Sequence, residues 1–189
     1  QTLILFMQDE PGVLNRISSL VRRRNFNIES IVAGRTEKKG ITRMTLVVGE
    51  ADINKRKTII NNIKRLVDIY DVVDATGKNC HIREHALVKI SINSQDQSEI
   101  DKLVLNGNCK ILDNDNHAMI LELSGNEEIV EKNIKFLKKY KILELLRSGK
   151  MAMKGDVIKF GLEEFYNNKE TKDLLWNKSS EAIEEDFLI

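Results

Sequence analysis

Several features that mark specialised classes of protein are scarce in this sequence. Of its 189 residues, two are cysteine, one is proline and ten are glycine. Cys80 and Cys109 have no CxxC partner, so the sequence encodes neither a disulfide framework nor a zinc knuckle, and a reducing compartment suits it best. So little proline and glycine also excludes collagenous and linker-like chains.

Neither sign of charge dominates, and long apolar runs are missing. Thirty Lys and Arg residues face 29 Asp and Glu residues, a net charge of +1. Because nucleic-acid binders carry a basic surplus, this balance argues against such a partner. No segment approaches the roughly 20 apolar residues of a membrane span, and no basic-then-apolar leader precedes Thr2. We therefore expect an ordinary soluble globular protein.

Apolar spacing in the first half predicts strand, helix, strand, strand, helix and strand. The first helix has apolar residues at intervals of one, four, seven and eight, and the hairpin strands alternate. Asn25 is expected to close that helix in the left-handed conformation. The predicted strands are 2–7, 27–33, 41–48 and 69–75, and the predicted helices are 13–24, with its apolar stripe over 13–21, and 54–67.

The same order of elements repeats in the second half. The predicted strands are 86–92, 109–112, 118–123 and 142–146, and the predicted helices are 97–105 and 126–137. The fold class is therefore α+β, with two tandem ferredoxin-like βαββαβ domains. We predict domains at 1–77 and 86–160, a polar linker at 78–85, and an acidic tail at 161–189 that is either disordered or helical on docking.

Candidate catalytic residues are not evident. His81-Ile82-Arg83-Glu84-His85 matches the H-x-x-E-H pattern of a zinc protease, but no helical stripe surrounds it, so we interpret it as a solvated linker. No Ser-His-Asp or Cys-His order stands out either. The arginines Arg16, Arg22, Arg23 and Arg24 are not interleaved with aromatic residues, which favours a solvated helix face over a phosphate-binding surface.

The turn from Asp9 to Gly12 has the chemistry of a small-anion site. It joins a strand end to a helix N-terminus, where free N–H groups and the helix dipole favour a negative charge. The N–H groups of Gly12, Val13 and Leu14 would face a ligand carboxylate, and Asp9 would accept from an ammonium group, which suits a free amino acid. An equal alternative is that Asp9 only caps the helix.

Three motifs resemble one known family: Asp9–Leu14 (DEPGVL), Arg24–Ser30 (RNFNIES) and Arg43–Thr45 (RMT). They look like the amino-terminal ACT domain of acetolactate synthase (acetohydroxyacid synthase) small subunits. Shorter matches extend the resemblance to about residues 2–160, at Leu66–Asp68, Glu84–Ile90, Leu146–Gly149 and Lys154–Asp156. The family often has Asn where Asp9 stands and Gly where Asn25 stands.

The resemblance implies a regulatory subunit without catalytic or metal-binding residues. It would activate a catalytic large subunit in branched-chain amino acid biosynthesis and confer feedback inhibition by valine or a related amino acid, bound between the paired ACT domains of a homodimer. One chain would supply the β-strand-to-helix turn and its dimer partner the start of the next strand; the implied effector-binding residues are Asp9, Glu10, Pro11, Gly12, Val13, Leu14, Asn27 and Ile28.

The resemblance also places the cofactors and the compartment. No cofactor is expected in this chain, whereas thiamine diphosphate, Mg and FAD are expected on the catalytic partner. The protein would lie in the cytoplasm, or in a plastid stroma if it is organelle-encoded. We expect the second domain to help hold the dimer and the catalytic subunit. The alternative is a stand-alone ACT-domain amino-acid sensor that regulates another enzyme or transcription.

Overall fold

The computed structural model describes residues 1–49, 52–77, 79–92, 97–115 and 117–155. Most of these residues fall in two compact units, one comprising 1–29 with 33–76 and the other 30–32 with 77–153. The predicted acidic tail at 161–189 lies outside the described residues, as do the last residues of the predicted second domain, 156–160.

The first unit follows the predicted order of strands and helices. Its elements are β1 (Thr2–Gln8), α1 (Val13–Arg23), β2 (Ile28–Arg35), β3 (Ile41–Val48), α2 (Ile53–Ile63) and β4 (Ile69–Asp74). The strands form one sheet in the order β2-β3-β1-β4, and β1 is antiparallel to both of its neighbours. The ferredoxin-like βαββαβ prediction is confirmed for this unit.

Strand β1 and helix α1 build the centre of this unit. All residues from Thr2 to Met7 are at most 8% exposed, which explains why the strand reads as a continuous apolar run rather than an alternating one. Of the stripe predicted from its spacing, helix α1 buries Val13, Ile17, Leu20 and Val21, whereas Leu14 is 47% exposed. The loop between β1 and α1 is thereby held between a buried strand and a buried helix face.

Helix α1 ends in a Schellman motif at Asn25. This residue has φ 58°, so the predicted left-handed terminator is confirmed. The N–H of Phe26 donates to the carbonyl of Val21 at 3.2 Å, and the N–H of Asn25 donates to that of Arg22 at 2.9 Å. These are the two hydrogen bonds that satisfy the last carbonyls of a helix closed in this way.

We expect Asn25→Ala to destabilise the first unit by about 1 kcal/mol, because a Cβ-bearing residue without a polar side chain is strained in the left-handed region. Asn25→Gly should be neutral, since glycine adopts this conformation without strain. Urea denaturation measures both changes. Asn15→Ala, at an exposed position within the same helix, is the control and should cause no loss. Equal stability of the alanine and glycine variants would contradict this role of Asn25.

Helix α2 is shorter than predicted. Asp52 caps its start by accepting from the N–H of Asn54 at 2.7 Å, and the helix ends at Ile63 rather than at Val67. The N–H of Leu66 donates to the carbonyl of Ile63, three residues back, so the chain already turns towards β4. Val67 is 89% exposed. Its apolar character extended the apparent stripe beyond the helix.

The second unit repeats the architecture and adds one strand. Its elements are β5 (Cys80–Ser91), α3 (Gln97–Leu105), β6 (Cys109–Asn114), β7 (Ala118–Gly125), α4 (Glu127–Leu137), β8 (Lys141–Arg147) and β9 (Met151–Lys154). The sheet has the order β6-β7-β5-β8, and β9 pairs with β5. The second βαββαβ prediction is confirmed, whereas β9 was not predicted.

Strand β5 begins at Cys80, so the prediction of a linker at 78–85 is wrong for the residues from 80 onwards. The segment alternates as a half-buried strand, but its exposed positions carry His81, Arg83 and His85 and its inward position carries a charge, Glu84. Hydrophobic periodicity cannot detect such a strand, because the buried side chain is itself polar.

Glu84 is part of an ion-pair cluster that joins β5, β8 and α4. Its side chain is 2% exposed and accepts two hydrogen bonds from Arg147, Nε to Oε1 at 2.6 Å and Nη2 to Oε2 at 2.8 Å. The Nη1 of Arg147 donates to Glu131 on α4. This hydrogen bond lowers the pKa of Glu131, and the two glutamates raise the pKa of Arg147. The buried carboxylate is thus fully paired.

The two cysteines differ in environment, and we expect them to differ in reactivity. Cys109 is 2% exposed, and burial raises the pKa of its thiol to about 11, so very little thiolate exists at neutral pH. Cys80 is only partly buried. A disulfide reagent should therefore modify one thiol of the native protein rapidly and the second only on unfolding. Cys80→Ser should remove the rapid phase; a rapid phase that survives this substitution would contradict the assignment.

Candidate functional site

The loop between β1 and α1 forms an uncapped helix N-terminus. Gly12 stands at the N-cap position with φ 87°, a left-handed conformation that glycine adopts without strain, and no side chain caps the helix. The N–H of Val13 donates to the carbonyl of Glu10 at 3.5 Å. Within the described chain, the N–H groups of Gly12 and Leu14 donate to no protein group. Donors that are left open at a helix start favour an anion.

Asp9 does not cap this helix, so that alternative interpretation is wrong. Its Oδ1 accepts from the hydroxyl of Thr42 at 2.9 Å, and its Oδ2 accepts from Nε of Arg35 at 3.0 Å. Both partners belong to the β2–β3 hairpin. The backbone N–H of Asp9 donates to the carbonyl of Gly40 in the turn of that hairpin. The carboxylate is therefore oriented by the hairpin and partly neutralised by an arginine.

A cavity of about 320 Å³ lies at this loop. Its size falls in the range of small-ligand pockets. Apolar side chains and backbone come from the end of β1, the start of α1, the end of β2 and the start of β3: Met7, Val13, Leu14, Ala33, Gly34 and Met44. Polar groups come from Gln8, Asp9, Glu10, Arg35 and Thr42. An apolar pocket with charged groups at one side suits a small amphipathic molecule.

Arg16 is a charged neighbour of the loop that the sequence analysis counted only as part of a solvated face. Its Nε lies 2.5 Å from Oδ2 of Asp68, a side chain that is 10% exposed. A Cβ at Gly12 would lie 3.3 Å from Nη1 of Arg16. The guanidinium therefore lies beside Gly12 and close to the open N–H groups. Its position four residues after Gly12 is the sequence signal that indicates this proximity.

The eight predicted effector residues fall in two places. Asp9, Glu10, Val13 and Leu14 line the cavity, and Pro11 and Gly12 complete its loop. Asn27 and Ile28 lie beside the opposite end of β1, because the carbonyl of Asn27 accepts from the N–H of Gly49 next to the start of that strand. Seven residues of strand separate the two places by about 20 Å. One chain does not bring them together.

The H-x-x-E-H segment lies in β5, where its histidines and its glutamate face opposite sides. His81 and His85 are exposed, whereas Glu84 is buried against Arg147. The zinc-protease pattern requires a helix that presents both histidines on one face. No group of three or more His, Cys, Asp or Glu side chains suited to hold a metal occurs among the described residues.

Comparison with known proteins matches both units to one family. Residues 3–71 match the model of the AHAS small subunit-like ACT domain, and residues 83–156 match that of the small subunit of acetolactate synthase. The crystal structure of the acetolactate synthase small subunit from Thermotoga maritima superposes with a TM-score of 0.75 at 30% identity, over 83% of this chain and 98% of that one. The fold and the resemblance are confirmed.

Relatives of known description agree. A probable acetolactate synthase small subunit of Archaeoglobus fulgidus is 34% identical over 80% of this chain and 94% of its own length. The acetolactate synthase small subunit of Bacillus subtilis is 31% identical over 79% of this chain and 87% of its own. No helix within the described residues is long and apolar enough to cross a membrane. The chain belongs to the acetolactate synthase small subunit family.

Proposed function

We propose that this chain is a regulatory subunit that activates the catalytic large subunit of acetolactate synthase and confers feedback inhibition by valine or a related branched-chain amino acid. The chain supplies no catalytic residue; thiamine diphosphate, Mg and FAD belong to the large subunit. Family membership supports the partner. The cavity at the β1–α1 loop is the observation that supports the effector site. The cytoplasm, or a plastid stroma for an organelle-encoded chain, is the proposed compartment.

The open N–H groups of Gly12 and Leu14 bind the effector carboxylate in this proposal. Asp9 accepts from the effector ammonium group, and Arg35 offsets the repulsion between Asp9 and the effector carboxylate because it already pairs with Asp9. The apolar side chains of Met7, Leu14 and Met44 surround the branched side chain. These features together distinguish an amino acid from a simple anion, which lacks the ammonium and the apolar group.

A second copy of the chain completes the site. Asn27 and Ile28 are about 20 Å from the loop within one chain, so they reach an effector only as residues of a dimer partner. Strand β2 supports such a dimer, since it is an edge strand of its sheet and begins at the apolar residue Ile28. Edge strands of this kind readily pair with another chain.

The second unit offers a surface for the catalytic subunit or for the dimer. Its exposed large apolar side chains include three on the edge strand β8, one on β5 and one on β9: Leu143, Leu145, Leu146, Leu87 and Met153. Their exposure ranges from 39% to 63%. Leu146 lies opposite Leu87 in the register of β5 and β8, so both point to one face of the sheet, and we call these two residues the leucine surface. Contiguous exposed apolar residues commonly mark protein interfaces.

Inhibition requires that the effector bind one arrangement of the complex more tightly than another. A coupling free energy of about 1 to 3 kcal/mol corresponds to a 5- to 150-fold change in affinity. An effector shared between two chains supplies such a difference when the arrangement of the chains changes, because the contacts from Asn27 and Ile28 are then lost while those of the loop remain.

Reconstitution tests the proposal. The full chain is mixed with the large subunit of the same organism, and acetolactate formation is measured with and without valine, leucine and isoleucine. We expect activation by the chain and inhibition by at least one amino acid. Calorimetric titration of the chain alone with the same amino acids tests the site independently. Amino-acid binding without any pull-down of the large subunit would replace the proposal by the stand-alone sensor.

The leucine surface is tested separately. Leu146→Glu, at a position that is 61% exposed, should weaken activation at least tenfold in the concentration of chain required and leave effector binding unchanged. Val67→Glu, at an exposed apolar position of the first unit, is the matched control. Full activation by Leu146→Glu at wild-type concentrations would show that this surface does not contact the partner.

A further inference from the structure

A second cavity lies within the second unit, between α3 and α4. Its volume is about 430 Å³, larger than the cavity at the β1–α1 loop, and it has no part in the proposed effector site. Leu103 of α3 and Ile129 and Phe136 of α4 provide an apolar wall. Phe136 is 38% exposed, which is unusual for a phenylalanine on a helix that is otherwise amphipathic.

Asn133 contributes a side-chain amide to the lining of the cavity. It lies on the cavity-lining side of α4, its residue is 8% exposed, and its side chain has no hydrogen-bond partner among the described residues. The amide atoms retain contact with solvent at the cavity, so they are available to a ligand that enters it. Asn133 therefore offers its amide hydrogens to a ligand with an acceptor group.

The charges around the cavity indicate the sign of that ligand. Lys102 of α3 and Lys132 of α4 line it, and neither forms an ion pair with any described residue. The lining carboxylate, Glu99, is already engaged by Lys139 and by the hydroxyl of Tyr140 at 3.2 Å. Two unpaired ammonium groups beside a neutralised carboxylate leave a positive surplus, which favours an anion.

We propose that this cavity binds a small organic carboxylate with a branched or aromatic apolar group. Lys102 and Lys132 bind the carboxylate, Asn133 donates its amide hydrogens to a carboxylate oxygen, and the wall of Leu103, Ile129 and Phe136 contacts the apolar group. The site is a second ligand site of the chain, independent of the effector loop of the first unit.

Three probes separate the contributions of charge and apolar contact. Isocaproate carries both, isohexanol carries only the apolar group, and inorganic phosphate carries only the charge. Each is titrated into the full chain by calorimetry and by two-dimensional NMR that follows the side-chain amide of Asn133. We expect saturable binding of isocaproate, with a shift of that amide, and binding at least tenfold weaker for the other two.

Variants locate the site. Lys102→Met and Lys132→Met, both at exposed positions, should each weaken isocaproate binding about tenfold. Lys135→Met, at an exposed position of the same helix outside the cavity, is the matched control and should bind as the wild type does. Gly12→Asp, at the effector loop, should also bind isocaproate as the wild type does.

Asn133→Leu distinguishes a ligand-binding amide from a structural one. It should abolish isocaproate binding, because it removes the amide donor, and it should not lower the urea midpoint, because it keeps the volume nearly constant and breaks no hydrogen bond to a described residue. A lowered midpoint would assign Asn133 to the fold and overturn the proposal. Equal binding of isocaproate and isohexanol, binding of phosphate alone, or unchanged binding in both lysine variants would overturn it as well.

Discussion

Arg147→Ala is expected to destabilise the second unit by about 3 kcal/mol. The substitution leaves the carboxylate of Glu84 buried at 2% exposure without its two hydrogen bonds, and breaking a buried pair from one side costs about 3 to 5 kcal/mol. The lower value applies because Arg147 is itself 34% exposed. In the variant, water can therefore partly replace the hydrogen bonds that the guanidinium donated to Glu84. Urea denaturation at neutral pH measures the change.

Two controls separate the loss of a charge partner from the loss of a side chain. Lys150→Ala breaks an ion pair with Glu127, which is 51% exposed, and should cost under about 1 kcal/mol. The double variant Glu84→Met with Arg147→Met removes both charges and should recover most of the stability, since apolar side chains of similar volume replace the pair. A double variant no more stable than Arg147→Ala would show that packing, not charge, dominates.

The ion-pair cluster also predicts a pH dependence. Arg147 lowers the pKa of Glu131 from its ordinary 4.5, so this pairing stabilises the folded state above pH 4.5 and is lost as the pH falls through the lowered value. Arg147→Ala removes this contribution. The stability difference between wild type and variant should therefore narrow on acidification below pH 4.5, and a difference that widens there would contradict the role of Glu131.

Gly12→Asp is expected to abolish effector binding while activation of the catalytic subunit survives. The new carboxylate would stand beside the open N–H groups of the helix start and within reach of Nη1 of Arg16, which lies 3.3 Å from the position of its Cβ. It therefore occupies the place proposed for the effector carboxylate and repels it. Calorimetry with valine and the valine response of the reconstituted enzyme measure the effect.

The left-handed backbone at Gly12 requires its own control. Any side chain at φ 87° costs about 1 to 2 kcal/mol, independent of its charge. Gly107→Asp introduces the same residue at φ 79° in the second unit, with open space around its Cβ, and should bind valine as the wild type does. Undiminished valine binding by Gly12→Asp would place the effector site elsewhere, whatever the outcome for the second cavity.

Local pattern was sufficient for the elements that bury apolar side chains. The stripe from Val13 to Val21 predicted α1, and Asn25 marked its end. The start of strand β5 was predicted six residues too late, because its first part buries Glu84 instead of an apolar residue. The partner that makes this burial favourable, Arg147, lies 63 residues away in the sequence. No local pattern indicates such a pairing.

In the candidate site too, local sequence predicted some features, whereas others depend on residues that are distant in the sequence. The sequence identified the loop from Asp9 to Leu14, whose chemistry follows from a strand end and a helix start. It left the role of Asp9 undecided, because its partners Thr42 and Arg35 are brought close only by the sheet. Arg16 was counted among solvated arginines for the same reason, since Asp68 is 52 residues away.

The pairing of β9 with β5 bears on how the chain folds as it leaves the ribosome. The sheet of the first unit is complete when β4 has emerged at Asp74, whereas the second sheet waits for β9, about 80 residues later. At common rates of translation this delay is roughly 4 to 16 s. For part of this delay β8 and its leucines have already been synthesised. The first half of β5 still lacks β9, the strand that covers its edge. We therefore expect chaperones to engage the nascent chain during this interval, before β9 has been synthesised.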